Sequence, residues 1–150
     1  LCKSDMKGML MTQSETHDHY VPDAKIVADH NDQFRRRKCL GAKTTVQLQG
    51  LIVMTHALAA MDPLFVHQAR ITIGRLHVFE ADNDPDGFHD FGSVEIDGQK
   101  VWFKVDMYET GSGKRYGAER PDNPVMTERV MTLMLPSDWR CRAPNWGSDD

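Results

Sequence analysis

An Asp97-Gly98 pair stands between two runs of alternating side chains, Gly92 to Ile96 and Gln99 to Tyr108, and no other stretch restricts the fold as tightly. A two-residue loop between strands needs positive φ at both positions, which Asp-Gly adopts at little cost, so the pattern predicts a β-hairpin with a fixed register. If Ile96 opposes Gln99, then Val94 opposes Val101, Gly92 opposes Phe103 and Asp90 opposes Val105. The alternate set places Glu95 across from Lys100, Ser93 from Trp102 and Phe91 from Lys104, with His89 across from Asp106 if the ladder reaches that far. Successive strand side chains point to opposite faces. Val94, Ile96, Val101, Phe103, Val105 and Met107 therefore form a core face, and Phe91, Trp102, Lys104, Asp106 and Tyr108 an outer one.

The hairpin is fed by an acidic turn, Asp82 to Gly92, in which Pro85 and Gly87 force the chain to reverse. Asp82, Asp84, Asp86 and Gly87 fall on the first, third, fifth and sixth positions of an EF-hand-like loop, where alternate carboxylates wrap a hard cation. The twelfth position is Ser93 instead of a bidentate Glu, and a strand follows where an EF-hand needs a helix. Asp82, Asp84 and Asp86 are thus metal candidates lacking the closing ligand, and no cofactor is expected, a divalent cation at this turn being the one alternative. A catalytic reading starts from His89, which titrates near neutrality and needs a carboxylate to orient it. The register favours Asp106 as that carboxylate over the adjacent Asp90, with Lys104 and Tyr108 beside it. No Ser or Cys is obviously activated nearby, so the chemistry would be general acid–base or metal-assisted hydrolysis. In the competing reading the residues form a tight turn in which His89 and Asp90 satisfy backbone groups at a strand entrance.

Before the turn, Asp23 to Cys39 reads as a helix: Asp23 caps it, Ile26, Val27, His30 and Phe34 keep helical spacing, and Gly41 stops it. Thr44 to Leu48 and Leu51 to Thr55 read as two strands, or one bent strand, around Gly50. Ala57 to Met61 can turn helically, but Asp62-Pro63 is the better helix start, leading a short helix through Ile71. Leu76 to Glu80 resembles a strand. After the polar loop Gly111 to Asn123, Pro124 can open one helical turn, and Arg129 to Leu135 is an apolar run that fits either strand or helix. The Gly-Ser-Gly-Lys stretch lacks the spacing of a phosphate loop, because Arg115 follows Lys114.

The 150 residues suit one domain, with residues 1–20 expected to be flexible, 21–140 to form the α+β domain and 141–150 a tail. A net charge of −4 argues against broad nucleic-acid affinity. Arg35, Arg36, Arg37 and Lys38 form a basic run at a helix end, where positive charge suits the dipole and phosphate or nucleic-acid contact is an option. Three scattered cysteines and no long apolar segment fit a reducing cytoplasm and no membrane span. His17, Asp18 and His19 are a further metal option, while the nine methionines suit core filling.

Asn31-Asp32, Phe34-Arg35-Arg36, Asn83-Asp84-Pro85 with His89-Asp90-Phe91-Gly92, and Phe103-Lys104-Val105-Asp106 with Tyr108 give the chain a further identity. With Arg129-Val130, Thr132 and Met134-Leu135, they resemble an uncharacterised bacterial domain-of-unknown-function family over roughly residues 25–139. The resemblance implies a short bacterial protein, often carried on plasmids or other mobile DNA, with no assigned activity. It carries over His89, Asp90, Lys104 and Asp106 as site candidates. Met107 departs from a second Tyr, Phe88 from an acidic residue, and Ala42 to Gln49 looks inserted.

The expected fold is α+β, an antiparallel sheet built on a central hairpin with two or three helices on one face. The expected function is a non-enzymatic binding or interaction module, its contact surface built from Phe91, Trp102 and Tyr108 and the acidic turn. An unknown protein or a small ligand is the expected partner, and a homodimer is one option. The alternative is a small hydrolase using His89 and Asp106.

Overall fold

A computed structural model describes residues 20–139. The expected N-terminal segment, apart from Tyr20, the His17–Asp18–His19 option and the tail beyond Trp139 lie outside those residues. The elements run α1 (Ala24–Leu40), β1 (Gln49–Met54), α2 (His56–Ala59), α3 (Pro63–Arg75), β2 (Phe91–Ile96), β3 (Gln99–Glu109) and β4 (Thr127–Met134), followed by a 3₁₀ turn at Pro136–Asp138. The four strands form one mixed sheet in the order β1-β4-β3-β2. β1 and β4 run parallel, and the other two neighbouring pairs are antiparallel, making an α+β fold.

Local chemistry sets the ends of these elements. The Asp23 carboxylate accepts from the Lys25 and Ile26 N–H groups to open α1, and Gly41 closes it in the left-handed conformation at φ 75°. Pro63 opens α3, which continues through the β-branched stretch to Arg75. The hairpin has the register derived from Asp97-Gly98, Ile96 opposite Gln99 through Phe91 opposite Lys104. In the sheet, β3 lies inside and β2 at the edge. Residues 127–134 are a strand, which resolves the helix-or-strand ambiguity: wedged between β1 and β3, this run gains hydrogen bonds on both sides.

Three expected elements differ. Leu76 to Glu80 is not a strand, because the carbonyls of Ile73 and Leu76 are taken by the Arg35 guanidinium at 3.0 and 2.7 Å. Thr44 to Leu48 is not a strand either: the Thr45 N–H donates to the Gln33 side chain at 2.7 Å and the Thr44 hydroxyl to the Val46 carbonyl. Pro124 belongs to a turn leading into β4.

The apolar core joins Phe34 and Cys39 of α1, Leu58 of α2 and Ala69 and Ile73 of α3 to Val94, Val101, Phe103, Met131 and Leu133 of the sheet. Gly50 shows how tightly α1 and the sheet approach: its φ is 146°, and a Cβ there would strike the Arg129 carbonyl and the Phe34 ring. Near the limits of the described residues, Asp122 accepts from the Tyr20 hydroxyl and the Asp23 N–H, and Asp138 accepts from the Thr55 hydroxyl at 2.6 Å. Among the described residues, no helix is long and apolar enough to cross a membrane.

Candidate functional site

The inward stripe of α1 carries polar side chains among its apolar ones, and they organise the acidic turn. Asn31 is fully buried; its amide donates to the Phe88 carbonyl at 3.0 Å, and its carbonyl accepts from Arg129 Nε at 2.6 Å. Arg129 also donates to the Pro121 carbonyl, so one buried pair ties α1, the turn and the loop before β4 together. Burial lowers the Arg129 pKa to about 10.

One helical turn on, Arg35 is also fully buried. Its Nη1 donates to Asp32 Oδ1 at 2.9 Å, and its Cζ lies 5.2 and 5.5 Å from the Phe79 and Phe103 ring centres. The basic run expected at this helix end therefore loses its first member to the core, because the carbonyls left at the end of α3 need a donor.

Asp32 links this core to His89. His89 Nδ1 lies 2.9 Å from Asp32 Oδ2, within hydrogen-bond distance. Asp84 Oδ1 accepts from the His89 N–H at 2.9 Å, and its Oδ2 is 3.9 Å from Nε2. Phe79 stacks on the imidazole with centroids 4.1 Å apart and planes 6° from parallel. Both ring nitrogens thus face carboxylates and one ring face is covered.

The expected pairing of His89 with Asp106 is corrected by this geometry. The Val105 N–H still donates to the Asp90 carbonyl, so strand-like bonding reaches Asp90. At His89 the chain turns to φ 56°, and the side chain leaves the sheet for α1. Asp106 instead pairs with Lys104 at 2.8 Å, and Asp90 is buried. The proposed catalytic four are therefore not gathered around His89. The partner that sequence reasoning passed over is Asp32, three residues before Arg35 on a helix; polar residues within an otherwise apolar stripe were the available signal.

Asp82, Asp84 and Asp86 do not converge as a loop of ligands. Asp84 turns inward to His89, and among the described residues no three His, Cys, Asp or Glu side chains are grouped so as to hold a metal.

The outer hairpin face is aromatic. Phe91, Trp102 and Trp139 meet edge to face with centroids 5.4 to 6.4 Å apart, and Lys104 Nζ lies 5.7 Å from the Trp139 ring centre. Trp139 thus packs onto the hairpin face. Tyr108 lies farther along β3, bridged to Gly117, and burial followed by the nearby Asp106 charge raises its pKa. Beside Phe91 and Trp102, a cleft of about 360 Å³ opens between β2 and the irregular segment bearing Val78 and Glu80.

Fold and site together define a small α+β domain in which a polar helix stripe anchors an acidic turn beside an aromatic sheet face. The family model for DUF3768, described as a protein of unknown function, matches residues 54–138, more than half of the chain, and the chain belongs to that family. No curated protein and no solved structure matches it. The match begins at Met54, so Asn31, Asp32 and Arg35 lie before the matched residues.

Proposed function

We propose that this domain is a binding module whose contact surface is the outer aromatic face of β2 and β3 with the adjoining cleft, and that His89 serves the scaffold. The observation that carries this reading is the engagement of His89. Nδ1 is bonded to Asp32, Nε2 faces Asp84, and Phe79 covers the ring, so the group best suited to proton transfer is committed to holding the turn. The adjoining cleft sets the aromatic and apolar side chains of Phe79, Phe91, Trp102 and Val78 beside the polar groups of Glu80, Asn83, Ser93 and Lys100, which offers a ligand both kinds of contact.

Titration of ¹⁵N-labelled protein with indole and with p-cresol tests the proposal. Shifts should centre on Phe91, Ser93 and Trp102 and persist in H89Q. Shifts centred on His89 and Asp32 would overturn it. A hydrolase remains the second reading, favoured by the carboxylate on Nδ1 and by an imidazole that is 30% exposed. In that reading Asp32, not Asp106, orients the base. A hydrolytic activity lost in a folded H89Q variant would establish it.

A further inference from the structure

β2 is an edge strand, and its hydrogen-bond phase determines which of its backbone groups face outward. The Val105 N–H donates to the Asp90 carbonyl, and antiparallel partners alternate between bonded and non-bonded pairs. Gly92, Val94 and Ile96 therefore bond inward to β3, and Ser93 and Glu95 turn their N–H and C=O groups toward the open edge. An exposed edge of this kind is a template for another strand. Arg35 holds the Leu76 carbonyl at 2.7 Å, and the cleft lies between the segment that follows, Val78 to Glu80, and β2.

The chemistry around that edge selects what it accepts. Ser93 lies opposite Trp102 in the register, so a residue added across from Ser93 sits beside the Trp102 ring, with Phe91 and the exposed Val78 close by. That position takes an apolar side chain. Two residues away on the same face, the added strand passes exposed Glu95, and at its other end exposed Glu80 and the acidic turn. Among the described residues, Lys100 is the single cation lining the cleft, and it lies across from Glu95 in the register.

Building on the binding-module reading, we propose that the β2 edge binds an extended peptide by strand addition, with an apolar residue at Ser93 flanked at alternate positions by Lys or Arg. Main-chain bonds to Ser93 and Glu95 supply the affinity, and the alternating side chains supply the selectivity.

The probe is a blocked heptapeptide alternating Thr with Lys, Phe and Lys. Its controls are the same peptide with Glu for Lys, and the Lys peptide N-methylated at the amides that would meet β2. Saturable binding should slow amide exchange at Ser93 and Glu95 at least tenfold. Both controls should bind at least tenfold more weakly, and E80K should weaken the Lys peptide severalfold. Absence of that protection, or equal binding of the Glu peptide, would overturn the proposal. So would protection that appears without peptide as protein concentration rises, which would assign the edge to a second copy. If indole and p-cresol still map to the cleft while the peptide fails, strand addition falls and the binding surface stands; if neither maps there, both fall.

Discussion

Replacing Asp32 with Ala removes one carboxylate that serves two partners, Arg35 and His89, each at 2.9 Å. Arg35 has no exposed side-chain surface, so the substitution leaves a buried cation without its counter-ion, although two backbone carbonyls still hold it. Breaking a buried pair from one side costs about 3–5 kcal/mol, and because Asp32 is 17% exposed and water can partly replace it, the lower end, ~3 kcal/mol, applies. H89A removes a bond to a charged acceptor and the Phe79 stack at a more exposed position, for ~2 kcal/mol. Since the two share one bond, D32A/H89A should fall short of additivity by about 1 kcal/mol. Urea unfolding followed by circular dichroism gives these quantities directly. A loss below about 0.5 kcal/mol for D32A, or strict additivity with H89A, would refute the linkage, because contacts of this kind couple on that scale.

G50A should be the most damaging small substitution, by more than about 3 kcal/mol, because positive φ and the Arg129 carbonyl both oppose a Cβ; a soluble variant with an unchanged melting curve would contradict this. Burial, and secondarily Arg129, lowers the His30 pKa, so the unfolded chain takes up the proton first as pH falls. Stability should drop as pH decreases below about 6.5, and H30Q should flatten that part of a urea-midpoint profile. Burial raises the Cys39 thiol to about 11, so at pH 8 its tryptic peptide should stay unmodified by iodoacetamide until urea unfolds the domain.

What could be read from the sequence was what local chemistry decides. Asp97-Gly98 pinned the hairpin register, Asp23 and Gly41 bounded α1, and Pro63 started α3, each through backbone constraints spanning a few residues. Where the reading failed, distant partners took over. Leu76 to Glu80 has the composition of a strand, but Arg35, 41 residues before Leu76, claims its first carbonyl. His89 was assigned to Asp106 by extending the ladder, which stops short because the backbone turns at that residue to reach Asp32, 57 positions away. Alternation carries no information about either event. The aromatic face was legible as a face, but the contribution of Trp139 was not, because it arrives only after the 3₁₀ turn at Pro136.

H89Q, measured for stability and for peptide binding in the same samples, tests most directly whether His89 is scaffold and the β2 edge is the contact surface. The urea midpoint should fall while affinity for the Lys-bearing peptide changes by less than about twofold, equivalent to ~0.4 kcal/mol. An unchanged midpoint with binding abolished would contradict the account.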